Sequence, residues 1–200
     1  VTTILKPEEH ARKAGSVGRA VLNVEVEIMD DEGNLLPPGQ IGEIVYRGGH
    51  LMSGYFKDEV KTTEALRFGW FHSGDLARKD EEGYIWFEDR KKDMIKSGGE
   101  NVPSIKVERV ILGDPRVEGC AVVGLPHPRW IEAVTAFVIP RPGSGLTEED
   151  VIQLCKRELG GFEVPKAVIM VEDLPRTTTG KVQKHILRER YRDFYAGREK

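Results

Sequence analysis

The charged junction Asp89-Arg90-Lys91-Lys92-Asp93, preceded by Glu88, stands between two apolar runs, and the hydrophobic pattern changes across it. Burying unpaired charge is costly, so such a run reads as a solvated junction between two folding units. Ahead of it, short alternating segments dominate. In residues 22–30, Val24, Val26 and Ile28 share one face and Glu25 and Glu27 the other, the period of a half-buried strand. Asp31-Glu32-Gly33-Asn34 turns the chain, and Pro37-Pro38-Gly39 opens the next loop. Residues 42–47 read as a second strand. Asp58 is placed to cap a short helix through Leu66, which Gly69 ends. A strand near Leu76, the turn Asp80-Glu81-Glu82-Gly83 and a strand over 84–88 read as a hairpin. Residues 1–88 are therefore expected to form a small β-rich subdomain of short antiparallel strands, barrel-like or a sheet layer.

Beyond the junction, helices and strands interleave. Residues 105–112 carry a helical pattern, 117–125 and 133–139 are buried strands, and 167–172 is a third. Thr147 caps a helix through Leu159, with Glu148, Glu149 and Asp150 where the helix dipole favours negative charge. Gly160-Gly161 end it. A last helix over 184–195 places Leu187, Tyr191 and Phe194 on one face. The fold class is α+β. The expected division is 1–88, a junction at 89–93, and a compact α+β domain at 94–200.

Composition excludes several classes of function. A net charge of −3 over 200 residues argues against general nucleic-acid binding. No apolar run approaches the ~20 residues of a membrane span. Cys120 and Cys155 lie in apolar neighbourhoods, which fits a reducing compartment and a cytoplasmic location rather than a disulfide framework. His10, His50, His72, His127 and His185 are scattered without ligand spacing, so no metal site is expected. His72 reads as structural. The chain starts at Val1 without an initiator Met and is expected to be part of a longer one.

The chemistry concentrates in residues 69–101. Asp75 follows the turn Ser73-Gly74, and a carboxylate's two oxygens can hold both vicinal hydroxyls of a ribose. Arg90 offers a planar donor fork for ribose or phosphate oxygens. The pair Gly98-Gly99 lets backbone come close to a ligand. Together they suggest a nucleotide site. The plain alternatives are a capping Asp, a solvated junction charge and a turn that needs positive φ.

With these residues in hand, the chain resembles the C-terminal third of the adenylate-forming enzymes, the acyl-CoA synthetase branch in particular. The resemblance rests on six motifs in order: Gly15-Ser16-Val17-Gly18-Arg19; Gly54-Tyr55; Gly69-Trp70-Phe71-His72-Ser73-Gly74-Asp75; Asp89-Arg90-Lys91-Lys92-Asp93-Met94-Ile95; Ser97-Gly98-Gly99-Glu100-Asn101; and Pro175-Arg176-Thr177-Thr178-Thr179-Gly180-Lys181. It implies the end of a large AMP-binding domain at 1–88, a hinge at 89–93 and a mobile lid at 94–200. The reaction it implies joins a carboxylic acid to ATP as an acyl-adenylate, which coenzyme A then converts to a thioester. ATP, Mg²⁺ and coenzyme A are the implied cofactors. The Mg²⁺ ligand and the Ser/Thr/Gly-rich phosphate loop are expected upstream of Val1. Fatty-acid metabolism is one setting the resemblance implies.

The roles that the resemblance implies fall on named positions. Asp75 and Arg90 are the nucleotide-binding pair and Lys92 is the hinge residue. Lys181, in a Thr/Gly-rich loop, is the adenylation lysine and a position where acetylation would remove the charge. Gly98, Gly99, Trp130, Phe162 and Lys166 correspond to coenzyme A contacts. The chain departs from the family at three places. Val164 replaces an arginine, Ile131 replaces a glycine after the tryptophan, and Val102-Pro103-Ser104 stands where Val-Tyr-Pro is common. Two alternatives stay open. One is another adenylating enzyme, luciferase-like or a peptide-synthetase adenylation domain. The other is an isolated, non-catalytic lid module.

Overall fold

The structure, a computed structural model, describes residues 1–197. The last three residues of the domain expected over 94–200 lie outside the described part. The chain divides into two compact units, Val1–Lys92 and Asp93–Lys200.

The first unit opens on a two-stranded ribbon, β1 (Thr3–Ile4) with β2 (Arg19–Ala20). Its main sheet is an antiparallel meander of β3 (Glu25–Met29), β4 (Ile41–Arg47), β5 (Phe71–Lys79) and β6 (Ile85–Arg90). The alternation in β3 sets the core: Val26 and Ile28 pack with Ile44, Ala77 and Ile85. Met29, Val45 and Trp70 form a second buried group. Burying each such side chain contributes about 1.5–3 kcal/mol. Between β4 and β5 runs α1 (Glu59–Ala65), capped as expected by Asp58, whose carboxylate accepts from Lys61 N at 3.0 Å. In the β5–β6 turn, Asp80 accepts from the Glu82 and Tyr84 amides and Gly83 supplies φ +84°.

Two expectations for this unit are narrowed. Among the described residues the sheet is open, a layer rather than a barrel, with β3 and β6 as its two edges. The charged run is not a uniformly solvated junction either. Asp89 and Arg90 end strand β6, and Asp89 is buried, with a carboxylate oxygen accepting the Arg90 amide at 2.7 Å. The division falls after Lys92.

The second unit is built on the long hairpin β9 (Val117–His127) and β10 (Ile131–Pro140). Strand β11 (Ala167–Met170) adds parallel to β10, and a short hairpin of β7 (Ile95–Ser97) and β8 (Glu100–Val102) meets the start of β10. Helices α2 (Ser104–Leu112) and α3 (Glu148–Glu158) contribute Val107, Ile111, Val151 and Cys155 to a core with Val122, Val134, Ala136 and Val138. The other alternation set, including Val123, Leu125 and Phe137, packs with Leu187 of α4 (Lys184–Arg190) and with Tyr195. A sheet covered on both faces explains why β9 and β10 read as unbroken apolar runs.

Three details differ from the sequence expectation. The β7–β8 hairpin has too few residues to show a period. Helix α4 stops at Arg190, and Tyr191, Phe194 and Tyr195 then pack through ring contacts rather than one helical face. Helix α3 ends on an extended Leu159, not on a left-handed glycine. Its start is as read, with Thr147 and Asp150 forming a reciprocal capping box. Among the described residues, no helix is long and apolar enough to cross a membrane.

Candidate functional site

The site on the first unit forms where β5 breaks register with β4. Glu43 pairs with Leu76 and Val45 with His72, so Ser73, Gly74 and Asp75 span the distance that Ile44 alone covers on β4. Such a bulge lifts residues out of the ladder and re-aims their side chains. Ser73 Oγ donates to Ile44 O at 2.7 Å and accepts the Asp75 amide at 3.0 Å, while Gly74 takes φ +74°.

Asp75 and Arg90 stand directly opposite each other across β5 and β6, with Arg90 Nε 3.7 Å from Asp75 Oδ1. Both side chains are partly exposed. They line a cleft of about 700 Å³ together with Gly74, Lys91 and Lys92. Burial pushes the Asp75 carboxyl above its ordinary value, Arg90 pulls it down, and the Glu43 carboxylate pushes it up again; the upward effects win. At 3.7 Å, Arg90 offers a longer, weaker contact than a charge-assisted hydrogen bond. The pair therefore keeps capacity for a ligand with hydroxyl and anionic groups. The Lys92 side chain is exposed and has no partner among the described residues.

A buried cluster beneath this cleft was not foreseen. Glu43, 4% exposed, accepts from Gly74 N at 2.9 Å through Oε1. Its Oε2 meets His72 Nδ1 at 3.0 Å, Lys91 Nζ at 3.0 Å and Arg67 Nη2 at 3.3 Å. Burial alone would raise the Glu43 carboxyl, but His72, the Gly74 amide and Lys91 hold it below its ordinary value. The signal was present in the sequence: Glu43 occupies the same strand face as core residue Val45. The His72 reading as structural agrees with this placement.

On the second unit, Gly98 and Gly99 form the β7–β8 turn, with φ +63° and +90°. The Gly98 amide donates to Trp130 O at 2.9 Å, and a Cβ at Gly98 would come within 3.0 Å of the Trp130 ring. A Cβ at Gly99 would meet nothing within 4 Å. Lys166 Nζ and the Arg129 guanidinium lie 5.2 and 4.7 Å from the Trp130 ring centre. Partial burial lowers the Lys166 amine from its ordinary value. Gly98, Trp130 and Lys166 are thus gathered in one place. Phe162 is exposed and joins no ring or cation–ring pair among the described residues. Val164 is a core residue, so the position of the missing arginine is filled by packing. Ile131 adopts φ +67°, a left-handed conformation that glycine accepts and a β-branched residue resists.

Lys181 is exposed at the end of a self-knit turn. Thr177 N donates to Lys181 O at 2.8 Å, Lys181 N donates to Thr177 Oγ1 at 3.1 Å, and Gly180 takes φ +83°. Its amine has no partner among the described residues. Among those residues, no group of three His, Cys, Asp or Glu side chains could hold a metal ion.

Comparison with known proteins decides the family. The family description "AMP-binding enzyme C-terminal domain" matches residues 106–181, and "AMP-binding enzyme" matches residues 1–56. The chain belongs to the adenylate-forming enzymes. As a member of that superfamily it is 39% identical over 189 residues to the indoleacetate–CoA ligase of Aromatoleum aromaticum, covering 94% of this chain and 37% of that protein. It superposes on ATP-bound MatB from Rhodopseudomonas palustris with a TM-score of 0.85 at 40% identity, covering 90% of this chain and 36% of the other. The amide bond synthetase McbA of Marinactinospora thermotolerans matches with a TM-score of 0.82 at 39% identity, over 94% of this chain and 39% of that one. The chain therefore spans little more than a third of the length of the relatives it matches, and it corresponds to their C-terminal portion.

Proposed function

We propose that the chain is the C-terminal portion of an ATP-dependent acyl-CoA ligase. A carboxylate attacks the α-phosphorus of ATP and releases pyrophosphate. The sulfur of coenzyme A then attacks the acyl carbon, AMP leaves, and the thiol proton is lost to solvent. Adenylation is needed because a free carboxylate is a poor electrophile, whereas AMP leaves readily. The observation that carries this reading is the Asp75–Arg90 pair, opposed across two strands on an open cleft.

In this reading Asp75 accepts the ribose hydroxyls and Arg90 donates to the same nucleotide. Residues 1–88 end the AMP-binding domain, 89–93 are the hinge with Lys92 as its pivot, and 94–200 are the lid. Lys181 meets the carboxylate and α-phosphate oxygens as negative charge builds there. Its unpaired amine on an exposed turn suits that task. After the lid turns, Gly98, Gly99, Trp130, Phe162 and Lys166 contact coenzyme A. The cation-flanked ring of Trp130 is suited to an adenine face, and Lys166 to a phosphate. Mg²⁺ would supply phosphate charge neutralisation from ligands outside these residues. Two buried thiols, Cys120 and Cys155, support a cytoplasmic setting.

A second reading, adenylation followed by transfer to an amine, is favoured only by the amide bond synthetase match. ATP–pyrophosphate exchange by the full-length enzyme, over a panel of carboxylic acids, tests the shared first step. Thioester formation with coenzyme A separates the two readings. Lys181→Ala is expected to lower exchange by about 10²–10³-fold while pre-made acyl-adenylate still reacts with coenzyme A. Full exchange activity in that variant would overturn the assignment.

A further inference from the structure

We propose that Glu43 is a positioning residue for the nucleotide site, holding the Gly74–Asp75 bulge in its binding shape and tying it to residue 91. The proposal rests on the reading of Asp75 as the ribose acid. Its basis is a closed ring of contacts around one residue, Gly74. The Gly74 N–H donates to Glu43 Oε1 at 2.9 Å. The Gly74 C=O accepts from Lys91 N at 2.9 Å. The Lys91 ammonium then returns to Glu43 Oε2 at 3.0 Å and also reaches Asp31.

Gly74 is thus held at both ends, at its N–H by the buried carboxylate and at its C=O by the backbone of the residue whose ammonium that carboxylate binds. The bulge contains residues that no ladder hydrogen bond fixes to β4, so side chains must set its geometry. Ser73 Oγ ties one side of it to Ile44 O and the Asp75 amide, and Glu43 is the β4 side chain that takes the Gly74 amide. Removing a buried partner leaves its donors unsatisfied, here the Gly74 amide and the cations of Lys91 and Arg67, with His72 alongside. The bulge would then relax, and Asp75, the next residue, would lose its fixed direction toward the cleft. Lys91 directly precedes Lys92, so the same ring anchors the chain where the first unit ends.

The experiment compares Glu43→Ala, Glu43→Gln, Lys91→Met and Asp75→Asn in the full-length enzyme. It reads KM for ATP and for the carboxylic acid separately in pyrophosphate exchange. Glu43→Ala is expected to raise the ATP KM by about 10–100-fold, the size of effect that a misplaced site residue produces. The KM for the acid should change by no more than about twofold, since a selective loss marks one binding contact. Glu43→Gln should recover part of the loss, because its amide oxygen can still accept the Gly74 N–H. Lys91→Met, which opens the ring from the other side, should also raise the ATP KM.

If Asp75→Asn raises the ATP KM while Glu43→Gln and Lys91→Met leave it at the wild-type value, the positioning role is overturned. The same holds if the Glu43 variants lower kcat and shift both KM values alike in step with lost stability, which marks a merely structural residue. If Asp75→Asn itself leaves the ATP KM unchanged, the ribose reading fails, and that failure is distinct from the first. Should Glu43→Ala not fold, the Glu43→Gln and Lys91→Met variants decide.

Discussion

Arg188 Nη2 donates to Asp93 Oδ1 at 2.7 Å, fastening the first residue of the second unit to the helix that follows the Lys181 turn. Asp93 is 8% exposed, so this pair is screened less than a surface ion pair. Asp93→Asn is expected to destabilise the protein by about 1.5–3 kcal/mol, the range for a hydrogen bond to a charged group. Arg188→Met should cost a similar amount, and the double variant less than the sum. Urea midpoints measure all three, and additive losses would show that the two side chains do not act as a pair.

Ile131→Gly is expected to stabilise the protein. A left-handed conformation costs an L-residue about 1–2 kcal/mol, while the added unfolded-state freedom of glycine costs about 0.5–1 kcal/mol. Ile131 is 69% exposed, so little apolar burial is lost on truncation. The balance is a gain of a few tenths to about 1 kcal/mol, readable as a higher thermal midpoint. A lower midpoint would mean that the isoleucine side chain makes contacts worth more than the strain.

The two acids of the first site should respond oppositely to pH. Asp75 is raised above its ordinary value of 3.8 by burial and by Glu43, against Arg90. Its contribution to stability is therefore intact below the unfolded pKa and falls as pH rises through the folded one. Asp75→Asn should raise stability at pH 7, with the advantage vanishing below about pH 4.

Glu43 lies below its ordinary value of 4.5, because His72, Gly74 and Lys91 outweigh burial. Its contribution is present above the unfolded pKa and is lost as pH falls through the folded one. Glu43→Gln should therefore lower stability at pH 7, and the gap to the wild type should narrow on acidification. Urea midpoints taken from pH 7 to well below pH 4 check both signs. Parallel curves for the two variants would contradict the assigned causes.

Gly99→Leu is expected to spare acyl-adenylate formation and block thioester formation in the full-length enzyme. A Cβ at Gly99 points into open space, so the obstacle would be to an incoming ligand rather than to the fold. The φ of +90° adds strain of about 1–2 kcal/mol, which a thermal midpoint reports separately. Equal losses in the two half-reactions would refute the prediction.

Much of this protein was legible locally. Asp58 and Thr147 announced helix starts because a cap needs only its own side chain and amides three residues on. The alternation of Val24, Val26 and Ile28 gave β3, and the chemistry of Asp75, Arg90 and Lys181 singled them out along with the motifs around them. Less legible were the β7–β8 hairpin, the early end of α4 and the open edges of the first sheet. The hairpin strands have three residues each, too few for a period, and sheet closure depends on which distant strands meet.

The residue pattern by itself determined where the longer elements start and which side chains could do chemistry, because propensity, period and capping act over a few neighbours. Only the tertiary structure decided that Asp75 faces Arg90, that Glu43 underlies both Gly74 and Lys91, and that Ile131 carries a glycine's backbone. The first two are set by register between paired strands, where a shift of one residue would turn every side chain to the opposite face, and the third by the tight β9–β10 turn.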